Sequence, residues 1–248
     1  MEIQTFIFVH DQNIILDFKQ KDKFKSLENL KYVFLGSRDT DKIKNMEDVI
    51  ICRELEHNIE DYPNLTSFSG WYALWKNKLY KTGHLNLFEY DVNLSTDFFK
   101  KLKSKVLKNI NVVGYIPFIP FDYNYLGHKP WSQELVSSVE KNYKINPIEF
   151  LNTLDKKTMC SMTSNHTLKS EVFEGYMNWM SPMIDDIKVS YYSGHQMERS
   201  ISLYYLLNKI EKVEILTDVL QHFQFDSHKT QGIDQNKFIN QYKNLFNE

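Results

Sequence analysis

The stretch Leu85-Asn86-Leu87-Phe88-Glu89-Tyr90-Asp91-Val92 reads as a hydrophobic strand running into two carboxylates one residue apart. Side chains alternate faces along a strand, so this spacing predicts that Glu89 and Asp91 point the same way at its carboxyl end. Neighbouring carboxylates repel unless a cation lies between them. A hard divalent ion, Mg²⁺ or Mn²⁺, takes oxygen ligands and commonly completes its shell with substrate phosphate. The pair therefore points to a metal–diphosphate site. Two other acidic-x-acidic triplets occur, Asp39-Thr40-Asp41 and Glu54-Leu55-Glu56. Asp39–Asp41 sits in a polar stretch between Arg38 and Lys42 and reads as a helix start with local charge pairing. Only Glu89 and Asp91 are carried by a core strand, where acidic residues rarely occur without a partner.

Working outward, Ile3–Val9, Lys31–Leu35 and Asp48–Cys52 read as earlier strands, and Asn111–Phe118 and Val213–Leu216 as later ones. Leu65, Phe68, Trp71, Tyr72 and Trp75 recur at helical spacing and read as core. Ser95 or Thr96 is placed to cap a helix running to about Lys108, Ser170 to cap one carrying Phe173, Met177 and Met180, and Ser193-Gly194 to start another. The stretch from Phe121 to Asn146 reads as a long loop with one helix, and the tail from Asp234 as a polar helix. Strands alternating with helices predict an α/β fold with a mostly parallel central sheet flanked by helices. In such sheets ligands bind beyond the carboxyl ends of the strands.

The 248 residues are 42% hydrophobic and 15% aromatic, enough for one large core. Thirty basic against thirty-two acidic residues exclude a general attraction to nucleic acid. Cys52 and Cys160 form neither a metal motif nor a disulfide framework. The opening Met1–Val9 lacks the features of a signal peptide, and no apolar run approaches the roughly 20 residues of a membrane span. The expectation is a cytoplasmic protein, with peripheral membrane association left open. A phosphate-binding Gly-rich loop, a Gly-x-Ser-x-Gly elbow and a His-Glu-x-x-His motif are all absent.

Phe88-Glu89-Tyr90-Asp91-Val92, preceded by the aromatic helix Ser67–Asn77, resembles the strand and metal motif of nucleotide-sugar glycosyltransferases of the GT-A fold. The chain is similar to small glycosyltransferases of bacterial capsule and surface-polysaccharide loci, with relatives in large DNA viruses. Three further segments match in order: Ser161–His166, Gly194–Ser200 and Phe225–Gly232. The usual triplet is Asp-x-Asp; here Glu stands first, so Asp91 is expected to bind the ion directly and Glu89 through water.

The resemblance implies a single GT-A-like domain over 1–248. Its nucleotide-binding half would span 1–120, its acceptor and catalytic half 121–232, and a helical tail 233–248. It implies a hexosyl- or deoxyhexosyltransferase that moves a sugar from a nucleotide-diphosphate sugar to a glycan or lipid-linked acceptor in polysaccharide biosynthesis, with inversion if Glu198 is the base and retention equally open if Glu198 is only structural. Glu198 is the expected base, placed in the first turn of its helix where the dipole favours a carboxylate. Arg199 beside it could steady a phosphate. His228 is the expected third metal ligand, with His222 as the alternative. His10, Asp11, Ser37 and Arg38 would border the nucleotide, Lys229 would touch the diphosphate, and Ser164 and Asn165 would meet the acceptor. Tyr123, Tyr125, His128 and Trp131 offer stacking faces for acceptor sugars. The alternatives are a nucleotidyltransferase, which normally needs a Gly-rich basic loop that His10–Gln20 lacks, and a non-catalytic glycan-binding or assembly module.

Overall fold

The structure, a computed structural model, describes residues 2–118, 132–155, 158, 160–161, 163–222 and 235–246. In chain order the strands are β1 (Ile3–Val9), β2 (Leu30–Phe34), β3 (Val49–Ile51), β4 (His84–Glu89), β5 (Val92–Leu94), β6 (Val112–Gly114), β7 (Pro117–Phe118), β8 (Cys160–Ser161), β9 (His166–Lys169), β10 (Val213–Ile215) and β11 (Leu220–His222). The helices are α1 (Gln12–Gln20), α2 (Ser67–Lys76), α3 (Phe98–Leu107), α4 (Gln133–Tyr143), α5 (Pro147–Asn152), α6 (Ser170–Met180), α7 (Ile184–Ile187), α8 (Ser193–Leu207) and α9 (Gln235–Phe246).

Among the described residues the central sheet has the order β10-β6-β9-β4-β1-β2-β3. All neighbours pair in parallel except β9, which runs antiparallel to both β4 and β6. The expected α/β architecture, a mostly parallel sheet flanked by helices, is the one observed. Every residue of β1 is buried, as befits a strand covered on both faces. Phe6, Phe8, Leu85 and Leu87 face the layer containing α2, α6 and α8. Ile3, Ile7, Val9 and Phe88 face α1 and α3, through Ile15, Phe18, Phe98, Leu102 and Val106.

Asn86, a polar residue at 0% exposure in the middle of β4, is satisfied across the sheet. Its Nδ2 donates to Thr5 Oγ1 (3.0 Å), and its Oδ1 accepts from Thr167 Oγ1 (2.7 Å), which also contacts Tyr115 Oη. A one-residue slip of β1 or β9 would leave these buried groups unpaired, so the chain of bonds holds the register.

Several boundaries differ from expectation. The strand expected over Leu85–Val92 ends at Glu89, because the chain turns at Tyr90-Asp91 and re-forms as β5 in a separate two-stranded ribbon with β11. The turn lets Val92 bury itself in the α1/α3 layer while Tyr90 packs edge-on against His10 at 4.8 Å. The segment expected as one strand over Asn111–Phe118 splits into β6 and β7, which join different sheets. Asp97, not Ser95 or Thr96, precedes α3 as its cap, with Ser95 Oγ donating to Asp97 Oδ1 at 2.6 Å. Ser170 lies inside α6, whose cap residue is Lys169. Residues 41–45 form turns instead of a helix start, although the local pairing is present as Lys44–Asp41 at 2.8 Å. Phe173, Met177 and Met180 face the core as expected, as do Trp71 and Trp75, while Tyr72 is half-buried.

Gly194 fixes the approach of α8 to the turn at Pro63–Leu65. A Cβ there would meet the Asn64 carbonyl oxygen at 2.8 Å and Thr66 Cγ2 at 3.1 Å. In an ordinary helix, Gly to Ala gains about 1 kcal/mol. Here Gly194→Ala should instead destabilise by about 1–2 kcal/mol through overpacking. Chemical denaturation provides the check; a variant more stable than wild type would refute this contact.

Candidate metal and nucleotide site

The carboxyl ends of β1, β2 and β4 lie along one edge of the sheet, and reversed β9 brings its amino end to that same edge. This topology assembles the site. Glu89 ends β4, Ser164 and Asn165 immediately precede β9, and the β5–β11 ribbon pairs Val92 with His222, one residue beyond Asp91. Single ligand atoms from Glu89, Asp91 and His222 lie within 4.8 Å of one another. The proximity expected from strand alternation is therefore achieved by a turn.

Glu89 Oε1 accepts from Ser67 Oγ at 3.0 Å, at the start of α2, and from Ser164 Oγ at 2.8 Å. Asn165, fully buried, accepts the Glu89 backbone N–H on Oδ1 at 2.8 Å. That donor is obligatory, so the amide nitrogen must face the other way, where it meets His222 Nε2 at 2.8 Å. Nε2 therefore accepts, and the neutral ring carries its proton on Nδ1. That edge faces Asp91 Oδ1 at 3.6 Å, too long for a hydrogen bond. Asp91 Oδ1 is sealed from solvent and accepts no hydrogen bond.

The charges are strongly coupled. Burial, then the negative charges of Asp91 and Glu198, push the Glu89 carboxyl up to about 7. At His222 burial opposes a charged ring, but contact with Asp91 and the charges of Glu89 and Glu198 outweigh it and raise its pKa. A proton on Nε2 would set two donors face to face, because Asn165 cannot turn its nitrogen away without losing the Glu89 N–H. Carboxylate repulsion, an orphaned carboxylate oxygen and a nearby imidazole make a donor set suited to a hard or borderline divalent cation.

A cavity of about 440 Å³ opens beside this cluster, within the range of small-molecule sites. Its lining includes His10, Ser37, Arg38, Ser67, Glu89 and Asp91. Asp11 plays a different part: it caps α1, accepting the Asn13 N–H at 2.9 Å, and pairs with Arg38 at 3.4 Å. Glu198 lies with Ser164, Ser67 and Met197 around an adjoining small recess. It is the sixth residue of α8, whose first turn holds no acidic residue, so the expected first-turn position is corrected to the second turn. Arg199 is buried, with Nη1 donating back to the His195 carbonyl.

Ser164 lies at the cluster, donating to Glu89, whereas the buried Asn165 stands behind it, both ends of its amide engaged with protein. Ser67 was missed by sequence reasoning, because a serine opening a helix carries no signal of the strand end it will meet. His222 takes the place beside Asp91. His228, Lys229, Tyr123, Tyr125, His128 and Trp131 lie outside the described residues.

Because the fold retains a proton on Glu89 between about pH 4.5 and 7 that the unfolded chain has released, stability without metal should fall as pH rises through this window. Gln can accept both serine hydroxyls without charge. Glu89→Gln should therefore be more stable than wild type at pH 8, by on the order of 1 kcal/mol, and lose that advantage at pH 4.5. Thermal melting in a chelator at both pH values checks the sign.

No protein-family model matches the chain, and no curated protein does so either. Among solved structures it is similar to the apo structure of the bifunctional glycosyltransferase WbbM, with a TM-score of 0.64 and 13% sequence identity, over 94% of this chain. The chain spans 48%, about half, of that protein's length. The likeness establishes a glycosyltransferase-like fold: a single α/β domain with a mostly parallel central sheet flanked by helices.

Proposed function

We propose that this chain is a metal-dependent glycosyltransferase that moves a sugar from a nucleotide-diphosphate donor to a glycan or lipid-linked acceptor in polysaccharide biosynthesis. The observation that carries this reading is the Glu89–Asp91–His222 cluster at the mouth of a nucleotide-sized cavity, on the strand edge where such folds bind ligands. Asp91 and Glu89 would hold Mn²⁺ or Mg²⁺, with His222 beside Asp91. The ion would supply positive charge to the departing diphosphate.

The protein's own groups do the rest. Ser67 and Ser164 hold the Glu89 carboxylate in one orientation. His10, Ser37 and Arg38 border the cavity that would take the nucleoside and its phosphates. Glu198, 30% exposed beside the recess, would accept the proton of the acceptor hydroxyl. As that oxygen bonds to the anomeric carbon, the carbon–oxygen bond to the diphosphate breaks on the opposite face and its electron pair leaves with the phosphate. Displacement in this sense would invert the configuration at that carbon. No helix among the described residues is long and apolar enough to cross a membrane.

Two substitutions separate binding from chemistry. With Mn²⁺ and nucleoside diphosphates, wild type should show a metal-dependent rise in melting temperature, and Asp91→Asn should lose it; a retained shift would put the ion elsewhere. Glu198→Gln should bind donor normally while transfer falls by about 10²–10⁴-fold. Unchanged turnover would remove Glu198 as the base.

A further inference from the structure

Glu60 contributes to the wall of the same cavity, alongside Gly36, Tyr62 and Pro63. Its backbone and one oxygen of its carboxylate are each held by a neighbour. Asn58 Oδ1 accepts the Glu60 N–H at 3.2 Å while Asn58 Nδ2 donates to the Leu55 carbonyl at 3.0 Å, fixing the backbone. Glu60 Oε2 accepts the backbone N–H of Gly36, the glycine just past β2, whose φ of +82° suits a residue without a Cβ. The other oxygen, Oε1, is sealed from solvent and has no hydrogen-bond partner. No Lys, Arg or His forms an ion pair with Glu60 among the described residues. A buried carboxylate oxygen left unpaired is costly, and a small turn of the Glu60 side chain toward the cavity it lines would let a ligand donor relieve that cost.

Position tells which part of a ligand this is. Gly36 follows β2, and Glu89 ends β4, two strands away across β1. At strand spacing that is on the order of 10 Å, the reach from a diphosphate to the nucleoside it carries. A phosphate would be repelled by Glu60, whereas a neutral N–H or O–H would be welcomed. Phe8, Leu35, Tyr62 and Pro63 supply apolar wall nearby for a planar ring.

We propose that Glu60 is the nucleoside-reading residue of the donor site, accepting a hydrogen bond from a base N–H or ribose hydroxyl of a nucleoside diphosphate. The inference rests on the nucleotide-sugar reading and adds to it the group that selects the nucleoside. Glu60→Gln reverses one polarity: its Oε1 must serve the Gly36 N–H, so its amide nitrogen faces the ligand donor.

The test measures binding of UDP, dTDP, GDP, CDP and ADP to the full chain with Mn²⁺ by calorimetry. The tightest is then compared with analogues methylated at the base N–H, lacking the 2′-hydroxyl or lacking the 3′-hydroxyl. At least one analogue should bind wild type tenfold more weakly, and which one it is separates base from ribose. Glu60→Gln should weaken the parent nucleotide at least tenfold while holding inorganic diphosphate within twofold. If all analogues, or the variant with the parent, stay within twofold of the wild-type affinity for the parent, the proposal is overturned. The analogue arm uses wild type alone and so stands even if the variant folds poorly. A wild type that binds diphosphate but none of the five nucleotides also overturns it, and locates the failure in the nucleotide-sugar reading.

Discussion

The carboxamide of Asn165 ties together the three segments that make the site. One end takes the backbone N–H of Glu89 at the end of β4, the other meets the ring of His222 on β11, and its own backbone leads into β9. Being fully buried, it must satisfy both ends internally. It thereby fixes where β4 stops, where β9 starts and which edge of His222 faces Asp91.

This arrangement depends on a single reversal in the sheet. Were β9 parallel to its neighbours, Ser164 and Asn165 would emerge at the opposite edge from Glu89. Running antiparallel between β4 and β6, it delivers two polar side chains to the carboxyl edge, and the Thr5–Asn86–Thr167 bonds hold its register. The edge then concentrates negative charge: Asp91 and Glu198 act on Glu89, and the positive form of His222 offsets them there, while Lys23 interacts with Asp91. Such a concentration is unfavourable for folding and favourable for holding a cation, a balance common at functional sites.

Particular elements show how far the sequence could be read. β1 and β4 were legible because both faces of each are covered, so their apolar runs are long and unambiguous. The end of β4 was not, because Val92 is as apolar as a strand residue should be. Its packing against the α1/α3 layer, together with the Asn165 bond to the Glu89 N–H, draws it out of the sheet at the turn holding Asp91. The register of Glu198 within α8 was missed by one turn, since Ser193 and Gly194 signal a helix start without fixing where the dipole acts. The aromatic spacing of α2 was correctly read as core, yet its first residue, Ser67, serves the site.

By itself the sequence determined the layered α/β architecture, the core faces of the main helices, and the nearness of Glu89 and Asp91, which two covalent links enforce whatever the local conformation. The tertiary structure alone decided that His222 joins them, because that contact depends on strand pairing between residues 92–94 and 220–222, far apart in the chain. It alone decided that Asn165 holds the Glu89 backbone and the His222 ring, that Ser67 holds the Glu89 carboxylate, and that Glu60 borders the same cavity as Glu89. Local periodicity records which face of an element is buried; it carries no record of which distant polar group will be waiting there.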